Sequence, residues 1–74
     1  MHDLALEERL LAAHAARDLR ALISLYSEAS EMAALAGEAK RAAFFRTQAM
    51  VFALDLGDPI AEDYRTQLAA EGRA

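Results

Sequence analysis

His14 and Asp18 stand four residues apart, a spacing at which two side chains on one helical face can reach the same divalent metal ion. A closed structural site needs four ligands, and the chain offers no cysteine and only one other histidine, His2. Di-iron bundles project a Glu-x-x-His pair from their helices, and neither histidine has a glutamate three residues before it. The expectation is therefore no metal and no cofactor, with His14 on a helix face beside a turn that Asp18 caps.

Paired carboxylates occur at Glu28 and Glu31, at Asp55 and Asp58, and at Glu62-Asp63. General acid–base work requires one member of such a pair to be buried enough to hold its proton, whereas these fall mostly on the polar side of helical stripes. Ser24, Ser27 and Ser30 line one side of a helix as polar-face spacers, with no base placed to activate them and no G-x-S-x-G elbow. No phosphate loop and no dinucleotide fingerprint is present. The chain is expected not to be an enzyme.

The elements that must carry these residues are helices. Seventy-four residues, 55% apolar and 27% charged, describe one compact domain, and the scarcity of β-branched residues beside abundant alanine and leucine makes it all-α. Asp3, Gly37 and Gly57-Asp58-Pro59 mark helix ends, and Asp18 suits an N-cap for a new apolar stripe through Leu19, Leu22, Ile23, Tyr26, Ala29 and Ala33. That stripe is out of phase with Leu4, Leu11 and Ala15 before it, so a break at Arg17-Asp18 is preferred to one long helix through residues 4–36. Four helices are expected, at 4–16, 19–36, 39–56 and 59–71, forming two antiparallel hairpins over 4–36 and 39–71 of a single domain, 1–74.

The third helix carries Phe45, Ala49, Phe52 and Leu56 on one stripe and Phe44, Val51 and Leu54 on another, so it is either the central helix or part of a subunit interface. The last helix has a narrow stripe, Ile60, Tyr64 and Leu68. Tyr26 and Tyr64 read as core-edge residues whose hydroxyls reach solvent or a backbone group.

Net charge is −4, and the basic residues are scattered apart from Lys40-Arg41, which argues against nucleic acid as a partner. Apolar runs fall far short of the roughly 20 residues of a membrane span. Acids at Asp3, Glu7 and Glu8 stand where a secretory leader needs basic and apolar residues, so a cytoplasmic protein is expected.

An offset of 40 residues lays Leu11–Asp18 over Val51–Asp58, with Ala13 on Ala53 and Asp18 on Asp58. The stretch Asp18–Ala29 and the stretch Phe52–Asp58 resemble the second helix and the end of the first helix of tetratricopeptide repeats. The chain departs from that pattern at Leu10 and Met50, where the family has small residues, at Glu62, and in a repeat longer than the usual length of about 34.

The resemblance implies a non-enzymatic protein–protein interaction module. Carried back from each turn, the family's partner-facing positions fall on Leu4, Glu7, Leu11, His14 and Ala15 in the first hairpin and on Phe44, Thr47, Val51, Leu54 and Asp55 in the second. Repeats of this kind need about three units for a self-sufficient core, and two are present here, so self-association as a homodimer, or docking to another protein, is expected. The alternative is a small regulatory bundle whose phenylalanine-rich third helix encloses an apolar small molecule.

Overall fold

The computed structural model describes residues 4–72, and among them runs four helices, α1 (Leu4–Ala16), α2 (Leu19–Leu35), α3 (Ala39–Leu56) and α4 (Ile60–Ala70). The all-α expectation holds, and so does the break at Arg17-Asp18: Asp18 is the N-cap of α2, its Oδ1 accepting from the Ala21 N–H at 3.1 Å. Asp3, expected as the first cap, lies outside the described residues. Helix α2 ends one residue early, because Ala36 already leaves helical geometry. Helix α4 begins one residue late. Asp58 Oδ1 accepts from the Ile60 N–H at 3.0 Å, but the next bonds run from Ala61 to Asp58 O and from Glu62 to Pro59 O, a 3₁₀ turn that precedes regular helix.

The three interhelix turns repeat one hydrogen-bond pattern every twenty residues. Arg17, Gly37 and Gly57 take left-handed backbone with φ of 53°, 78° and 78°. The following acidic residue in each turn, Asp18, Glu38 or Asp58, donates its N–H five residues back to Ala13, Ala33 or Ala53 at 3.0, 2.9 and 2.8 Å. This is the Schellman closure, which satisfies carbonyls that a helix end leaves open. The three accepting alanines are buried, so each chain reversal is fixed to the core as well as to its own helix.

The helix backbones lie close in sequence order, α1 beside α2, α2 beside α3 and α3 beside α4, and the molecule extends 32 × 32 × 11 Å. Two apolar clusters hold it. Leu6, Ala13, Leu22, Leu25 and Ala29 join α1 to α2, while Ile23, Ala49, Ala53, Ala61 and Tyr64 join α2, α3 and α4. Tyr26 and Phe52 pack against both.

Three expectations need correction. In α1 the buried residues are Leu6 and Ala13 with Leu10 beside them, while Leu11 and Ala15 of the stripe read from the sequence are exposed, because the α1 sequence is apolar in both phases and α2 selects one. Ser30 is no surface spacer; it is buried, and its hydroxyl donates to the Ala42 carbonyl at 2.8 Å, tying α2 to α3 where two small side chains let the helices approach. In α4 the inward residues are Ala61, Tyr64 and Leu68, with Ile60 at the rim.

Candidate interaction face

The buried residues of α3 are all alanines, Ala42, Ala43, Ala49 and Ala53. Alanine lets neighbouring helices come close but covers little area, and the large side chains of α3 are left to the other side. Phe44 is 57% exposed, Val51 42% and Leu54 63%. The third helix is thus central in the chain without being buried all round. Helix α1 repeats the arrangement, with Leu11 at 71% exposure.

Successive turns reverse the chain, so α1 and α3 run parallel on the two flanks of α2, and their side chains meet across it. The His14 ring lies edge-on to Phe52 at 5.8 Å and to Tyr26 at 5.8 Å, and His14 Nε2 is 2.8 Å from the Tyr26 hydroxyl. Tyr26 stacks on Phe52 and tilts against Phe45. Its hydroxyl therefore finds a histidine rather than the solvent or backbone expected for it, and burial pushes its acidity weaker than an ordinary phenol.

Of the residues expected to face a partner, Glu7, Leu11, His14, Ala15, Phe44, Val51, Leu54 and Asp55 are exposed, and Thr47 is half-buried. The Thr47 hydroxyl donates to Ala43 O at 2.9 Å within its own helix. Leu4 opens α1, but its side chain lies outside the described residues.

Sequence reasoning missed a cleft of about 470 Å³ that opens between α1 and α3, with α2 as its floor. Leu6, Leu10, Met32 and Phe45 supply apolar walls, and Ala36 and Arg41 stand among the remaining lining residues. The Arg41 guanidinium sits 5.7 Å from the Phe45 ring centre and 4.0 Å from Glu38. Phe44 packs against Phe45 at 5.6 Å, beside the cleft. The signal was present in the adjacent Phe44-Phe45 pair, since neighbours on a helix diverge by about 100° and only one of the two can turn inward.

Among the described residues no three His, Cys, Asp or Glu side chains gather as metal ligands, and no helix is long and apolar enough to cross a membrane. Across α3 and α4, Arg46, only 13% exposed, makes a two-pronged ion pair with Glu71 at 2.9 and 2.7 Å. Comparison with family models, with curated proteins and with solved structures gives no match to this chain.

Proposed function

We propose that the chain is a non-enzymatic, tetratricopeptide-like interaction module whose partner is a second copy of itself, docked through the α1/α3 face. The observation that carries this reading is the outward set Leu11, Phe44, Val51 and Leu54, large apolar side chains left exposed. Domains bury their apolar faces between at least two packed layers, and a core this small rarely supplies more than roughly 3–5 kcal/mol. A second copy laid on the face covers these side chains. A net charge of −4 speaks against nucleic acid as partner, and a cytoplasmic setting belongs to the same reading.

Light scattering on the purified protein tests it. The mass should rise with concentration above 8.1 kDa, and Phe44→Glu should return it to 8.1 kDa while circular dichroism stays helical. A variant that keeps the wild-type mass would remove this face as the interface.

The cleft supports a second reading, an apolar small molecule as ligand, because about 470 Å³ lies within the usual ligand-pocket range of roughly 300–1,000 Å³. Native mass spectrometry separates the two: a constant added mass on the 8.1 kDa chain favours the ligand, a doubled mass the dimer.

A further inference from the structure

We infer that α1 is an exchangeable arm: with the turn at Arg17-Asp18 opened, the α1 of one copy lies on the α2 of a second copy, and the exchange is reciprocal. This is independent of docking through the α1/α3 face. The surface it uses is one the structure shows occupied, by α1 itself, where Leu6, Leu10 and Ala13 join Leu22, Leu25 and Ala29 in one cluster. A second copy brings an identical α1, so the contacts that leave one chain are remade between two.

The hinge is singled out by its backbone. Of the three interhelix turns among the described residues, the second and third place glycine in the left-handed position, where it carries no Cβ penalty. The first places Arg17 there, at φ 53°. A side chain in left-handed backbone weighs against the closed turn by about fivefold or more, and that weight is lifted once the turn opens. Backbone strain of this kind gathers at switch regions. The connection is also short, with only Arg17 and Asp18 between α1 and α2. Short hinge loops under strain invite exchange of the element they carry.

Closure within one chain competes with exchange at an effective concentration of about millimolar order for a short tether, and the strain at Arg17 lowers that threshold. Dilute protein therefore closes on itself. The exchanged dimer is collected by refolding at high concentration, on the order of 1 mM.

Arg9 on α1 and Glu28 on α2, both solvent-exposed, pair at 3.4 Å and supply the test. Arg9→Glu and Glu28→Arg are made as two separate chains, each also carrying Phe44→Glu to remove docking through the α1/α3 face. Within either chain the reversal sets like charges together. Exchange between the two chains restores an opposite pair at both α1/α2 contacts. Refolding an equimolar mixture at high concentration should therefore give a heterodimer-to-homodimer ratio several-fold above random pairing, read by native mass spectrometry. Refolding in 0.5 M salt should return the ratio to random. Adding Arg17→Gly to both chains should weaken dimerisation about twenty-five-fold, a factor of about five at each of two hinges. If the Phe44→Glu chains do not fold, Phe44→Ala takes its place. A random ratio at low salt, or chains that stay monomeric after concentrated refolding, would show each α1 remaining on its own α2 and overturns the exchange, while docking through the face stands or falls on the wild-type mass. Undiminished dimerisation with Arg17→Gly overturns the strained hinge and the inference with it.

Discussion

Tyr26 on α2 and Phe52 on α3 stack with ring centres 5.8 Å apart and planes 17° from parallel, and both pack against each of the two apolar clusters. Contacting both, this pair makes one core of two. Phe52→Ala should therefore cost about 2–3 kcal/mol, below the roughly 3–5 kcal/mol of a fully buried phenylalanine because Phe52 is half-buried. That is much of the stability a chain this size holds, so urea titration should show a midpoint moved to far lower urea. A midpoint within error of wild type would deny the pair its linking role.

Arg17 occupies the left-handed position that glycine takes in the two equivalent turns. Non-glycine residues pay about 1 kcal/mol there, so Arg17→Gly should raise stability by roughly that amount and the melting temperature by about 4–8 °C. Gly57→Ala, with no neighbour near the added carbon, should lose a similar amount through its φ of 78° alone. Asp18→Ala should cost about 0.5–2 kcal/mol through the lost cap. Thermal melts of the three variants check the set, and a destabilised Arg17→Gly would contradict the turn assignment.

These turns also show what the sequence disclosed. Asp18, Gly37 and Gly57-Asp58-Pro59 carry their conformations in their own chemistry, so the helices were legible to within a residue. The left-handed Arg17 was not, because its strain is imposed by the buried Ala13 and the capping Asp18 on either side. Nor was the phase of α1, where Leu6 and Leu10 compete with Leu4 and Leu11 and only packing on α2 decides. The outward set on α3 was legible from the paired stripes of Phe44, Val51, Leu54 and Phe45, Phe52. The cleft needed three helices in place, and Ser30 needed Ala42 opposite it.

Alkaline pH should weaken the fold through Tyr26. Burial raises its folded-state pKa above the ordinary phenol value, so the native state holds the proton more tightly than the unfolded one. The stabilisation is complete below the unfolded pKa and falls away as pH rises through the folded one. Denaturation midpoints measured upward from pH 9 should decline for wild type and decline less for Tyr26→Phe; equal slopes would contradict it.

Acid should act at Glu62, whose carboxyl is held below its ordinary range first by the hydrogen bond from Arg65 and then by that residue's charge. Its contribution is present above the unfolded pKa and is lost as pH falls through the folded one. The pair is solvent-exposed, so 0.5 M salt should flatten the acid dependence, and Glu62→Gln should remove its share. An acid slope unchanged by that substitution would discount the pair.

The ion pair of Arg46 with Glu71 fastens the far end of α4 to α3. Glu71→Ala leaves a mostly covered guanidinium without its partner, and amides in the last turn of α4 should exchange faster while those of α2 are unchanged. Uniform acceleration across the chain would show that α4 does not open separately.

Self-association through the α1/α3 face is tested most directly by sedimentation equilibrium of the wild-type chain over a wide concentration range. The account predicts a weight-average mass that rises from 8.1 kDa and levels at twice that value. A mass fixed at 8.1 kDa from the lowest concentration to the highest would contradict it.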